Sequence, residues 1–565
     1  MYLKPLGDRA LIVYFEEGIA KSLFEKVYGL KHILSLKNIP GIYAYIPGYS
    51  TLTIRYDPYI ISFSSLKEEI ESIDIPLVFR KKEGKLHKIP VVYGGEYGPD
   101  LEYVAKYHDI SPKDVIKYHT QREYLVYMLG FTPGFVYLGE LPPAIWTPRL
   151  LAPRKKVAAG SVGIADRQTG IYAVSSPGGW QIIGRTYYPL FTPDKEPPVA
   201  LYPGDKVLFY PIEKGEFLSR VTKSLYKTKV SGYPLFKVLD PGPFSIIVDR
   251  GRIGYQDIGF SDSGAADLIS FKLSNLLLGN PKNVPVLEIF AQGFAAEVLK
   301  DTLISLVGGE FEIKIDGYVY KSNRKIFLRE GNILRVTKRI NGARLYLSPP
   351  GGFDVPLVLG SASLDEKAGI GGLYGRPLKR GDVLYAKRRF PNTIIHKIGK
   401  SPYRKEDPIL LRFIPGPNLE HFTKEGFSLF CKSIYEISRD SNRMGYRLIG
   451  PKIAHSERGA GIISEGVVPG AIQVPGSGMP IVMGPDAQPL GGYAKIGVVI
   501  EADLSKLSQA LPGDRVKFLP ITLEEALSIY KRKVKEVEGL LRVEGKRYLC
   551  RVGDRKYNVE IEEDT

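Results

Sequence analysis

Several groups of residues in this sequence have types and spacings that could do chemistry. His119 stands at the end of a predicted helix, just ahead of a glycine-rich block. There it would titrate near neutrality and serve as a general base, or it would only meet the helix dipole. Pro177-Gly178-Gly179-Trp180-Gln181 would present backbone amides to an anion, with Gln181 as an orienting amide. The alternative is a tight turn beside a core tryptophan. Arg443-Met444-Gly445-Tyr446-Arg447 sets two cations about a turn. Arg443 would clamp a carboxylate or phosphate bidentately, or else serve a structural salt bridge. Glu465 is a candidate base, or one half of a buried ion pair with an arginine. Gln473 follows in the same strand-turn-strand segment. Asp486 and Lys495 bracket the loop GPDAQPLGGYAK, where Lys495 suits an anionic ligand or is a solvated surface lysine. Ser263 and Asp267 in DSGAAD are binding groups, or a helix N-cap and a first-turn acid. The expected catalytic residues are His119, Arg443, Glu465 and Lys495. The expected binding residues are Gly178, Gly179, Gln181, Gln473, Asp486, Ser263 and Asp267.

These groups need a scaffold of short strands and tight turns. From Tyr124 to Arg185, glycine, proline and aromatic residues alternate densely, as when a β-scaffold gathers loops at one surface. An internal echo reinforces this. Pro203-Gly204-Asp205 and its following strand recur as Pro512-Gly513-Asp514, with a looser copy at Arg380-Gly381-Asp382. Copies at domain-sized spacing predict three related β-domains. The start of the chain differs. Residues 11–15 and 51–56 read as strands, and 19–36 and 64–73 as helices, with Ser64 as an N-cap. A helical pair is expected at 100–109 and 111–119, opened by Ser111-Pro112. Charged or polar linkers fall at 80–88, 214–232 and 400–407. A helix from Leu523 to Val534 precedes a hairpin with Gly553-Asp554 at its turn.

Composition narrows the function. The net charge is +17, but the basic residues are dispersed and no nucleic-acid motif accompanies them, so nucleic-acid binding is not expected. No apolar run has membrane-spanning length, and the first residues lack a signal-peptide pattern; a cytoplasmic, non-membrane protein is expected. Cys431 and Cys550 lie too far apart in sequence to suggest a disulfide framework or cysteine metal site. The seven histidines are scattered, without HxH or HExxH, so no metal site is expected.

The strings YMLGFTPGFVYLG, GSVGIA, TGIY and SPGGWQIIGRT resemble the allophanate hydrolase subunit 1 family, largely assigned as the B component of 5-oxoprolinase. VLDPGPFSIIVDRGRIGYQDIGFSDSGAAD, GGFDVPLVLGS, SNRMGYRLIGP and SEGVVPGAIQVPGSGMPIVMGPDAQPLGGYAKIGVVIEADL resemble allophanate hydrolase subunit 2, or the C component of 5-oxoprolinase. The chain thus resembles a fusion of the 5-oxoprolinase B and C components. Ser261-Asp262-Ser263-Gly264 departs from a commoner Pro-Pro-Ser-Gly, and 363–369 from a more basic stretch. The resemblance implies a mainly β fold with an α+β N-terminal domain and three cyclophilin-like β-barrel domains. The expected units are 1–80 (α+β), 86–225 (B-component barrel), 236–398 and 408–522 (C-component domains), and 523–565 (helix and hairpin tail).

The implied activity is an ATP-dependent hydrolase opening 5-oxo-L-proline to L-glutamate, with ATP and Mg as cofactors and a separate 5-oxoprolinase A component as partner. Phosphorylating the lactam oxygen would make a poor electrophile open to water, given donors for the oxyanion and a base. No Gly-x-x-x-x-Gly-Lys-Ser/Thr loop is present. A rival is a biotin-dependent carboxyltransferase acting on urea or a lactam, resembling part of urea carboxylase; it would take its biotin carrier in trans, since no Met-Lys attachment motif exists. A third reading is a kinase-binding regulator of the Kip inhibitor–antagonist type. Homo-oligomerisation is compatible with each reading.

Overall fold

The computed structural model describes residues 1–74, 84–150, 154–193, 195, 198–220, 232–389, 396–398, 402–403, 406–543, 546–552 and 555–561. The N-terminal sheet is antiparallel, in the order Tyr2–Pro5, Ala10–Tyr14, Thr51–Tyr56, Ile42–Pro47. Helices Lys21–Lys37 and Phe63–Glu71 supply Val27, Leu30, Leu66 and Ile70 to a core shared with Leu11, Val13, Leu52 and Ile54. Side chains alternate along a strand, so Ala10 and Ile12 face the other way. They join Val467, Val468, Ala471, Met483 and Val498 in a second core. A strand covered on both faces has little use for polar residues, which explains the unbroken apolar run here. Ser62, not Ser64, caps the second helix: its hydroxyl accepts the Ser65 N–H at 3.0 Å. The helix starts at Phe63, so the cap falls one residue before it. Ser111 caps Pro112–Thr120 in a capping box with Asp114, as expected.

Two of the β-units close into seven-stranded barrels. The first runs Gln168–Ile171, Val136–Gly139, Tyr124–Leu129, Lys206–Pro211, Leu86–Tyr93, Gln181–Arg185, Ser161–Ala165. The second runs Ile409–Pro415, Lys495–Val499, Ala471–Gln473, Ile481–Met483, Gly445–Ile449, Ile434–Ile437, Arg515–Pro520. In each, the first strand in sequence lies parallel to the last: Leu86 opposite Lys206, Ile409 opposite Val516. Between them stands a nine-stranded sheet whose outer strands, Phe244–Val248 and Val383–Ala386, do not meet. It is a half-barrel, so the expected mainly β, barrel-based architecture holds with one member left open.

The Gly-Asp echo has a common geometry. Gly204, Gly381 and Gly513 have φ of 94°, 89° and 91°, a left-handed conformation suited to glycine. The aspartate after each accepts the N–H three residues back: Tyr202 to Asp205 at 2.9 Å, Lys379 to Asp382 at 2.7 Å, Leu511 to Asp514 at 2.8 Å. Each such turn launches the last strand of its unit. The linker expected at 214–232 begins as helix Lys214–Arg220; its remainder at 221–231, and parts of the linkers at 80–88 and 400–407, lie outside the described residues. The C-terminal helix runs from Leu523 to Leu540, beyond its expected end. Lys546–Val552 and Arg555–Ile561 pair antiparallel, and the turn expected at 553–554 lies outside the described residues.

Candidate functional site

His119 sits inside the first barrel, fully buried. Its Nδ1 meets the Tyr93 hydroxyl and its Nε2 the Thr169 hydroxyl, both at 2.8 Å, and its ring stacks on Phe209. Burial pushes its pKa down to about 3. A neutral ring, buried with both nitrogens engaged, has the geometry of a core histidine rather than that of a general base or a dipole partner. Gly178 ends the short strand Ser176–Gly178, and the Gly179 carbonyl accepts the Leu150 N–H at 2.8 Å. Trp180 is buried. This is the turn-and-core alternative. Gln181 donates to the Pro148 carbonyl at 2.9 Å and leaves its buried Oε1 without a partner among the described residues.

Arg443 is saturated. It holds Asp486 through Nε at 2.9 Å and Nη2 at 3.0 Å, Glu288 through Nη1 at 2.6 Å, and the Gly264 carbonyl at 2.6 Å. Glu288 also receives Arg344, Tyr346 and the Ala266 N–H. Burial opposes its ionisation, but Arg443 and Arg344 outweigh that and hold its pKa below the usual carboxylate value. This cluster welds the half-barrel to the second barrel and offers no open guanidinium; Arg443 takes the structural alternative. Asp267 caps helix Leu268–Leu277, accepting from Ile269 and Ser270 N–H groups and from Gln509. Ser263 is buried at φ 50°, its hydroxyl 2.9 Å from that of Ser261.

Three expected residues do converge. Lys495 and Gln473 are paired across neighbouring strands. The Lys495 ammonium, with no exposure, lies 2.6 Å from Glu465 Oε1, so it is neither a surface lysine nor is Glu465 paired with an arginine. Tyr14, from the N-terminal sheet, donates to the same oxygen at 3.3 Å, and Asn418 lies 3.5 Å from the Tyr14 hydroxyl. Burial first, and Glu465 second, raise the Tyr14 pKa, so the phenol keeps its proton. The nest therefore combines a cation, a carboxylate and a neutral donor drawn from both halves of the chain. Glycines let the halves approach. A Cβ on Gly466 would stand 2.2 Å from Thr53 Oγ1, and one on Gly130 2.0 Å from Leu490 Cδ1.

Sequence reasoning missed a second junction feature. A cavity of about 410 Å³ opens between residues 6–10, helix Leu268–Leu277, helix Glu501–Ser508 and helix Leu523–Leu540. Asp8, Arg9, Tyr43 and Arg55 reach it from the first half, and Asp262, Lys272, Glu501 and Tyr530 from the second. These residues come from distant segments; Asp262 and Glu501 stand within the glycine-rich strings of the second half, and the others do not. Outside those strings the local signal is the adjacent charge pair Asp8-Arg9, directly before a buried strand.

The chain is thus built of barrel-type β-units whose two halves complete each other's buried polar groups. The carboxyltransferase domain, subdomain C and D, matches residues 1–201, and the carboxyltransferase domain, subdomain A and B, matches 258–520. The B subunit of 5-oxoprolinase from Bacillus subtilis (strain 168) is 40% identical over 227 residues, 38% of this chain and 94% of its own. The C subunit of 5-oxoprolinase from Escherichia coli (strain K12) is 36% identical over 318 residues, 54% of this chain and 97% of its own. Urea amidolyase of Saccharomyces cerevisiae is 32% identical over 327 residues, 53% of this chain but 17% of its own. The crystal structure of TTHA0988 superposes with a TM-score of 0.79 at 33% identity, covering 90% of this chain and 99% of that one. The chain belongs to the carboxyltransferase-domain family that includes the B and C components of 5-oxoprolinase, with the C/D match preceding the A/B match. No described helix is long and apolar enough to cross a membrane.

Proposed function

We propose that this chain supplies the B and C components of an ATP-dependent 5-oxoprolinase, opening 5-oxo-L-proline to L-glutamate with a separate A component. The observation that carries this reading is near-complete coverage of both a B-type and a C-type relative by one chain. The Glu465–Lys495–Tyr14 nest supports it chemically. Lys495 and the protonated Tyr14 are donors suited to an oxyanion on the lactam, and Glu465 is a carboxylate suited to taking a proton from water. Gln473, beside Lys495, would orient the ring amide. No residue of this chain is assigned to ATP or Mg.

The test is co-purification with the 5-oxoprolinase A component and measurement of glutamate and ADP from 5-oxoproline and ATP. Both products are expected, only with both proteins present. Lys495→Met would lower turnover by about 100-fold, the scale of losing one oxyanion donor. The carboxyltransferase family descriptions favour one rival: carboxyl transfer from a biotin carrier in trans. Turnover that required bicarbonate and biotinylated carrier, without glutamate, would establish that rival instead.

A further inference from the structure

The junction cavity is bordered by a helix whose apolar side is only partly covered. Leu523–Leu540 is 18 residues long, yet Ala526 is its one buried residue. Val534 and Val537 lie on one face of it, line the cavity and are half-buried. Across the space, Ile269, Lys272 and Leu276 follow one another along one face of helix Leu268–Leu277, all lining the cavity and all half-buried. Apolar side chains that border a void lose dispersion contacts on that side. A hydrocarbon chain would restore them.

The charges around the cavity are uneven in sign. Arg55 holds Asp262 bidentately at 2.6 and 2.7 Å. Lys533 meets Glu536 at 3.6 Å. Asp8 accepts the Glu501 N–H at 3.2 Å and faces Arg9, and Glu538 is exposed. Arg250, Lys272 and Lys282 remain, all from the half-barrel. Lys272 faces the Glu501 carboxylate, but Arg9 shares that carboxylate at 3.6 Å. Burial lowers the Lys272 pKa; Glu501 opposes this, and the charges of Arg9, Arg250 and Lys282 add to the lowering. Arg250 and Lys282 are exposed and make no ion pair among the described residues. A lysine set among further cations favours an added anion.

We propose that this cavity binds an amphipathic carboxylate, an alkyl chain with one anionic head. The head would meet Lys272, with Arg250 and Lys282 nearby, and the chain would lie along Ile269 and Leu276, which flank Lys272 on the same helix face. An inorganic anion would answer the charge alone, and a neutral hydrocarbon the apolar surface alone. A cavity of about 410 Å³ lies within the range of small-molecule sites. The site is separate from the Glu465–Lys495 nest and independent of the 5-oxoprolinase reading.

Isothermal titration of the full chain with hexanoate, octanoate and decanoate tests it. Saturable one-to-one binding of decanoate is expected, weakening by about tenfold for every two methylenes removed. The alcohol 1-octanol keeps the chain without the charge and should bind at least about tenfold more weakly than octanoate. Lys272→Met should weaken octanoate by about tenfold and leave 1-octanol unchanged. The chain-length series and the alcohol probe the unmodified protein, so the result stands even if the variant misfolds. No saturable binding of decanoate, affinity independent of chain length, 1-octanol binding as tightly as octanoate, or a folded Lys272→Met that keeps full octanoate affinity overturns the proposal.

Discussion

The two closed barrels share a parallel first-to-last strand pairing, yet they treat a buried polar group in opposite ways. In the first barrel, His119 finds both partners, Tyr93 and Thr169, within the barrel and its own helices. In the second, the Lys495–Glu465 pair is completed by Tyr14, which lies 451 positions before Glu465 in the chain. A group satisfied at home stabilises its own unit. A group completed from outside ties that unit to another and places its polar contacts at the boundary between the halves. Family-wide fold likeness would not distinguish the two, since both residues lie in motif-rich segments.

The contrast can be broken most sharply at Glu465. Replacing it by leucine strands the Lys495 ammonium and should cost about 3–5 kcal/mol of unfolding free energy. The double variant Glu465→Leu/Lys495→Met should recover much of that loss in denaturant titrations. If the single and double variants are equally stable, the pair is not a buried ion pair in solution.

The histidine should reveal itself by acid. Its folded pKa of about 3 lies below the ordinary 6.5, so the folded state prefers the neutral ring. That preference is fully met above pH 6.5 and turns into lost stability as pH falls towards 3. Between about pH 6.5 and about pH 4.5 the native protein should lose about 2 kcal/mol more than His119→Leu does. Parallel acid limbs for the two proteins would place the ring in solvent.

Smaller effects test the junction and the turns. Gly466→Val drives a side chain into Thr53 and should destabilise by about 1–3 kcal/mol, as overpacking does. Limited proteolysis should then cut between the halves sooner; an unchanged pattern would mean that the close approach is absent. The smallest change is expected from Asp514→Ala, which removes the bond to the Leu511 N–H and about 1 kcal/mol. Asp205→Ala should lose more, because its carboxylate also receives the Lys85 N–H and lies 3.2 Å from His87 Nε2.

The turn chemistry was legible in the sequence because it is local: a left-handed glycine and an aspartate reaching three residues back leave a fixed signature. Helix starts were nearly as clear, and Ser62 was missed only because three serines compete within Ser62-Phe63-Ser64-Ser65. Glu465, Gln473 and Lys495 could be singled out, since a strand-turn-strand segment rich in glycine keeps few polar residues. Their partner could not. Tyr14 belongs to an apolar strand, and nothing near it announces a carboxylate hundreds of residues away. Arg443 read equally well as a clamp or a salt bridge, and only the positions of Glu288 and Asp486 decide between them. The cavity was invisible for the same reason, being assembled from segments that share no local pattern.

Strand Ala10–Tyr14 has one consequence for biogenesis. Its helix-facing side is covered by nearby segments such as Val27, Leu30 and Leu66, but its other side waits for Val467 to Val498. During synthesis the ribosome releases a sheet with a bare apolar face long before the covering segment emerges, a non-local contact of the slow-forming kind. Two separate polypeptides would have to find each other by diffusion to cover it. A single chain replaces that search with a tethered one, at an effective concentration set by its own length.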